Sequence, residues 1–423
     1  MTGFVLLRVR AHRLLLAAAV LAVLLTTCVL AALTAFSGSI GDAALRHTLA
    51  HRSAAQASLF VSADVDRGQR GEADAEVRRA ARDTFDGLPV TVRKLESSGS
   101  YALPDGLQAP AARRDEPDLT QLASLDRSRV RLTAGRLPDA GAGDAKEGVQ
   151  VALPRAAAEA LKLKPGSRLT LTDRLKETSL PVEVTGLYEP ADLDDPYWQL
   201  DPLGGRGARK VVFTTYGPLL ADPAMLASGR VSAGPVSWLA AADFRTVTTG
   251  RTEALRRASA DGPGALSASP VFGDGATVRT SLPTVIDQIE RALLVSRSTI
   301  MIVAVQLVLL AGYALLLVAR LLSSERGGET ELLRARGGSR GRIASLAAIE
   351  ALLLAVPAAV VAPLLAGPLT RLLAARSELG RIGLRLDGGV DGTVWLVAGA
   401  VALTRGGYGG SGDARRGPRR DRE

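Results

Sequence analysis

Residues 298–319 read STIMIVAVQLVLLAGYALLLVA, residues 320–342 read RLLSSERGGETELLRARGGSRGR, and residues 343–369 read IASLAAIEALLLAVPAAVVAPLLAGPL. An α-helix rises about 1.5 Å per residue, so roughly 20 mainly apolar residues cross a bilayer's hydrocarbon. Both apolar runs reach that length. The first holds no charged residue and the second holds one, Glu350. A surface helix of a soluble protein keeps a polar face over such a distance. The pair therefore predicts two membrane spans joined by a short basic connection.

The distribution of charge agrees. The 423-residue chain carries a net charge of +9, but residues 37–296 hold 32 Lys+Arg against 33 Asp+Glu. The basic excess thus lies beside the apolar runs and in the C-terminal tail. A nucleic-acid-binding domain would carry a basic face of its own; an excess of Lys and Arg next to spans marks the cytoplasmic side of membrane proteins. The single cysteine, Cys28, sits inside an apolar run and has no partner for an internal disulfide.

Upstream, LLLAAAVLAVLLTTCVLAALTAF (residues 14–36) follows Arg8, Arg10 and Arg13. It is longer than the roughly 7–15-residue apolar core of a cleaved signal peptide, and Phe36 spoils the best small-residue cleavage site. An uncleaved anchor with a cytoplasmic N-terminus (residues 1–13) is predicted, which puts residues 37–297 outside, residues 37–282 of them as the outer domain.

Within that outer region, ASLFVSADV (57–65) and PVTVRKL (89–95) alternate like strands, and GEADAEVRRAARDTF (71–85) between them reads as a helix. From Val149 the pattern is a strand (VQVALP), a helix (PRAAAEALKL, with Pro154 suited to its first turn), a Pro165-Gly166 turn and two strands (SRLTLTDRL, LPVEVTGLYEP). KVVFTT and PVSWLAA suggest further strands. Asp192, Asp194, Asp195 and Asp201 fall in a Pro/Gly-punctuated stretch without the spacing of a calcium loop, so a solvated loop is expected. Tyr197 and Trp198 in the same stretch read as filling a core or a seam between subdomains. His47 and His51 share a helix face but have no third zinc ligand in the pattern.

After Pro283, Ile286, Ile289 and Leu293 recur at helical spacing, which predicts an amphipathic stalk (283–297) continuous with the span at 298–319. In that span Gln306 and Tyr313 lie seven apart, roughly on one face. The connection 320–342 has six arginines against three glutamates, and Glu329, Leu332, Leu333 and Arg336 fall at helical spacing before Gly337-Gly338. A short amphipathic helix along the membrane is predicted. Glu350 lies about 10 Å along the next span, where an acid is costly and faces a partner or water. After an outer loop (370–393), Val394–Leu403 is too short to span, and the Gly/Arg-rich tail (404–423) reads as disordered. These readings predict an α-helical multi-pass membrane protein with a large mixed α/β extracytoplasmic domain between the first and second spans.

Walker A, HExxH and CxxC patterns are missing, and the GxSxG spelling at residues 337–341 falls in the basic connection between two apolar runs rather than at a strand-to-helix turn, so neither nucleotide hydrolysis nor another enzymatic activity is expected.

The order of anchor, outer domain, stalk, span, basic loop, span and partial span resembles the FtsX-like or MacB-type permeases of ABC transporters. The phrase at residues 329–369 carries the resemblance most specifically: Glu331, Leu332, Leu333, Arg334, Ala335, Gly337, Ser339 and Glu350 match an acidic residue, an LLRA core, a small-residue turn and a span bearing a glutamate. GRLPDAG and VQVALPRAAAEALKLKPGSRLTLTD, within residues 135–173, look like the family's outer-domain signature, with Gly166-Ser167 where the family often has Gly-Asp. The resemblance implies a permease unit with no cofactor of its own, partnered with a separate ATPase that binds the ATP and with a second permease unit, in a lipid bilayer and without nucleic acid. It implies that Glu331, Leu332, Leu333, Arg334, Gly337 and Gly338 couple the ATPase to the spans, and that Glu350 and Gln306 are the polar residues inside the membrane. The partial fourth span suggests a truncated unit. The alternative from another class is a membrane-anchored sensor or scaffold without an ATPase.

Overall fold

The computed structural model describes residues 28–29, 41–108, 117–139 and 148–325. Apart from residues 28–29, the predicted first span lies outside the described residues. So do residues 326–342 of the basic connection, the span at 343–369, the loop at 370–393, the short apolar segment 394–403 and the tail. The chain divides into two compact units, residues 46–288 and residues 1–45 with 289–423.

Among its described residues the 46–288 unit is built on twelve strands. A four-stranded antiparallel sheet has the order β12 (Thr277–Thr280), β1 (Leu59–Ala63), β11 (Ala233–Ala242), β2 (Val90–Ser98). A second set closes on itself: β4 (Leu119–Ser124), β3 (Tyr101–Ala102), β7 (Arg168–Asp173), β8 (Ser179–Pro190), β6 (Val149–Pro154), β10 (Thr214–Leu220) and back to β4. Closure removes the unpaired edges of that six-stranded barrel. β5 (Val130–Gly135) pairs with β8, and β9 (Ala208–Lys210) pairs with β10. Sheet and barrel join where Glu96 and Ser97 of β2 pair with Ser124 and Ala123 of β4.

Period-two alternation explains the two faces of the sheet. Leu59, Val61 and Ala63 of β1 are buried, while Phe60 and Ser62 between them are only half-buried. Val61 stands opposite Trp238 of β11, and Trp238 Nε1 donates to Asp74 Oδ1 at 2.7 Å. Asp74 belongs to α1 (Arg70–Thr84), so this face is the one the helices cover. There α1 packs on a later helix, Thr252–Ser267. A Cβ on its Gly262 would lie 2.2 Å from Thr84 Oγ1, so only glycine permits the two helix backbones to approach so closely. The barrel holds a separate apolar core that includes Tyr101, Leu122, Val151, Leu171, Val184 and Leu219.

Three expectations change in detail. The helix after VQVALP is Arg155–Leu161, and Pro154 ends β6 and caps it rather than entering its first turn. KVVFTT is not one strand: β9 stops at Lys210, a bend at 211–213 exposes Val211 and Val212, and β10 begins at Thr214. The acidic stretch is not a solvated loop throughout. Asp192 and Asp194 are exposed, but Asp201 is only 3% exposed and Asp195 is largely covered by two arginines.

A single helix, Leu282–Glu325, follows β12. Its backbone begins with Leu282 N–H donating to Thr280 Oγ1, and Pro283 fits the first turn, where no intrahelical N–H partner is needed. Leu282, Val285 and Ile286 are buried. The amphipathic stalk and the first apolar run after it are thus one continuous rod. By length it spans about 66 Å at 1.5 Å per residue.

Candidate functional site

Beyond the stalk, the helix Leu282–Glu325 inverts the usual rule. Met301, Ile302 and Val303 are consecutive, so they point about 100° apart, and all three are exposed, Met301 by 68%. Leu309 and Leu310 are 67% and 70% exposed, and Leu294, Val295, Val305, Val308 and Leu317 are exposed as well. Burying one such side chain is worth about 1.5–3 kcal/mol. Leaving ten of them in water would forgo more than the roughly 5–15 kcal/mol that holds a whole domain together. Among the described residues this is the one helix long and apolar enough to cross a membrane, and its bare apolar circumference suits lipid or neighbouring spans, not water. Gln306 and Tyr313 are exposed on it. Glu331, Leu332, Leu333, Arg334, Gly337, Gly338 and Glu350 lie outside the described residues.

Within the 46–288 unit the polar chemistry gathers at the junction of sheet and barrel. The segment after β8 folds as a short 3-10 turn, Pro196–Leu200. Asp195 caps it by accepting the Tyr197 N–H at 2.9 Å, and Pro196 supplies the first-turn φ. The same carboxylate meets Arg93 of β2 and Arg129 at the start of β5, so one side chain ties the sheet to the barrel. Tyr197 and Trp198 are buried in an apolar cluster with Leu95 and Leu239 from the sheet and Tyr188 and Leu220 from the barrel. They fill the seam between the two subdomains. The Tyr197 hydroxyl accepts the Asp126 N–H at 2.8 Å, and burial pushes its pKa up to about 12, so it stays a neutral hydrogen-bonding group. Trp198 Nε1 donates to the Asp192 carbonyl at 2.8 Å. Gly205, at φ +75°, passes so near the Trp198 ring that a Cβ would come within 2.9 Å of it.

Asp201 closes the segment. Its two oxygens accept the N–H groups of Leu203 and Gly205 at 3.0 and 2.7 Å. Burial raises its carboxyl above the ordinary Asp value; those two hydrogen bonds and Arg209 offset only part of the effect.

Beside the seam lies an open groove of about 620 Å³, lined by Phe60, Ser62, Ser237 and Arg279 of the sheet and by Leu193 and Asp194 of the segment after β8. It occupies the sheet face that the helices leave free. The sequence gives one local hint of this site, the Asp-Pro pair at 195–196 that starts a capped turn. The groove itself joins residues more than 200 positions apart, which no local pattern announces. His47 and His51 bring their rings to 4.9 Å, and among the described residues no group of three metal-ligating side chains forms around them.

Residues 301–404 match the model of the FtsX-like permease C-terminal domain. The described part of that match, residues 301–325, is the apolar end of the helix that begins at Leu282. No curated protein matches the chain.

Proposed function

We propose, from the FtsX-like permease domain at residues 301–404, that this chain is the membrane-spanning subunit of an ABC transporter and passes the work of a separate ATPase to the 46–288 domain. A domain of this type is a membrane-embedded transporter component of the general ABC permease class, not typically an enzyme, and such permeases generally work with ABC ATPase partners. The family match is the observation that carries the reading.

The finer assignments go beyond that match. The N-terminus and residues 320–342 are cytoplasmic, residues 37–297 are outside, with residues 37–282 as a MacB-like core domain and 283–297 as its stalk, and two permease units pair in the membrane. Glu331, Leu332, Leu333, Arg334, Gly337 and Gly338 form the ATPase-coupling segment, with ATP held by the partner subunit. The helix Leu282–Glu325 supports a mechanical role, because a continuous helix delivers a displacement at one end to the other without a hinge. Its first residue follows β12, whose pairing with β1 would hand the displacement to the sheet, and the Asp195 ion pairs would hand it on to the barrel. Export and force transmission to envelope enzymes both use this arrangement.

Replacing Leu332 and Leu333 together with Asp is expected to abolish copurification of the ATPase while the chain still inserts in membranes. Unchanged copurification would sink the coupling role, and no ATPase with the unaltered chain would return the reading of a membrane-anchored sensor or scaffold.

A further inference from the structure

We propose that the groove on the free face of the sheet binds a small zwitterion, a ligand with a cationic end, an anionic end and an apolar body between them. The argument rests on which charges in the groove are already used. Asp195 is held by Arg93 and Arg129, and Asp201 is 3% exposed and accepts one backbone N–H on each oxygen. Two charged groups remain. The Arg279 guanidinium lies 4.4 Å from the centre of the Phe60 ring, a cation–π contact that orients it, and among the described residues no carboxylate pairs with it. The Asp194 carboxylate has neither a hydrogen bond nor an ion pair among the described residues, although its backbone N–H is bound to Asp192. Both line the groove and come from different elements, Arg279 from β12 and Asp194 from the segment after β8.

The rest of the lining suits the body of such a ligand. Phe60 and Leu193 give apolar walls. The Ser237 hydroxyl donates to Ser62 Oγ at 3.0 Å, which leaves the Ser62 hydroxyl proton free for a ligand acceptor. A volume near 620 Å³ falls in the range of about 300–1,000 Å³ typical of small-molecule sites. An anion alone would meet Asp194, and a cation alone would meet Arg279; a molecule carrying both charges satisfies both. The inference is independent of the ATPase reading, because every residue in it belongs to the 46–288 unit.

Two sources carry both charges, a short apolar peptide with free termini, which also brings the apolar body, and a zwitterionic lipid headgroup, which brings the charge pair alone. The test is calorimetric titration of the full chain in nanodiscs with trileucine and, separately, with glycerophosphoethanolamine. Whichever probe binds identifies the source. For that probe, Arg279→Gln is expected to weaken binding by about tenfold or more, as the loss of one charge-assisted contact does. With trileucine, C-terminal amidation should cost the same and add nothing on top of Arg279→Gln, while N-terminal acetylation should behave that way with Asp194→Asn. The two variants check one another should either destabilise the chain. No binding of either probe, or binding that neither substitution changes, overturns the proposal.

Discussion

The 46–288 unit and the helix that leaves it treat apolar side chains in opposite ways. In the first, Leu59, Val61, Val77 and Trp238 are essentially sealed. In the second, Met301, Leu309 and Leu310 stand at least two-thirds open. Both segments obey one physical rule, that apolar surface leaves water. The domain meets the rule with its own strands and helices. Among the described residues nothing covers most of the circumference of residues 294–310, so other surroundings must supply a partner. The contrast separates a part whose apolar surface is covered from within from a part whose apolar surface the described residues leave uncovered.

The comparison breaks most sharply if the two parts do not face different media. In a Cys28→Ala background, Val212→Cys sits at a 67%-exposed bend of the barrel and should be labelled completely by an impermeant maleimide added outside. Ser339→Cys, in the connection assigned to the cytoplasm, should stay unlabelled until the membrane is opened. The reverse pattern would invert the proposed orientation.

A smaller effect separates the parts by energy. Trp238→Ala would empty a sealed site and leave Asp74 Oδ1 without its indole donor, although Lys94 still holds Oδ2, and should destabilise the 46–288 domain by about 3–5 kcal/mol. For a domain of this size that is a fall in Tm on the order of 10 °C. Leu309→Ala leaves no cavity where lipid fills the space, and should shift thermal unfolding in nanodiscs by less than about 1 kcal/mol. An equal loss at Leu309 would mean that protein, not lipid, covers that helix face.

The sequence made one side of this contrast legible and only part of the other. The sequence pattern located β1, β2, β6, β7, β8 and β11; β1 buries alternate residues, whereas β6 and β11 are buried along most of their length and were legible as short runs rich in apolar residues. The spacing of Ile286 and Ile289 marked the stalk, and both are buried. Barrel closure was not legible: β3 is two residues long, and β4 meets β10 in parallel, with Leu119 against Thr215. Such pairing is settled by tertiary packing rather than local pattern. Asp195 and Asp201 read as solvated because carboxylates usually are; their burial depends on Arg93, Arg129 and backbone N–H groups that fold back from other segments or from the turn itself. The predicted coupling residues and Glu350 came from the apolar pattern and the resemblance, and the described residues stop at Glu325.

The smallest effect concerns Asp201, the one acid at the seam whose carboxyl is raised. Burial is the larger cause, and the Leu203 and Gly205 N–H groups only temper it. A carboxyl with a higher pKa in the folded than in the unfolded chain binds its proton more tightly when folded. Its contribution to stability is therefore fully present below the unfolded value, about 3.9, and is lost as pH rises through the folded value. This runs against Asp126, where burial also acts to raise the pKa but the Ser128 hydrogen bonds and nearby Arg129 and Arg93 bring it below normal. Asp126 favours the folded state above its unfolded value and loses that contribution as pH falls. Overall acid sensitivity mixes the two, so the seam must be isolated by difference. The Tm of the unaltered chain minus that of Asp201→Asn should become more positive at pH 4 than at pH 7. A difference that grows towards pH 7 instead would show that the two backbone hydrogen bonds outweigh burial, and that Asp201 is held as a charge inside the seam.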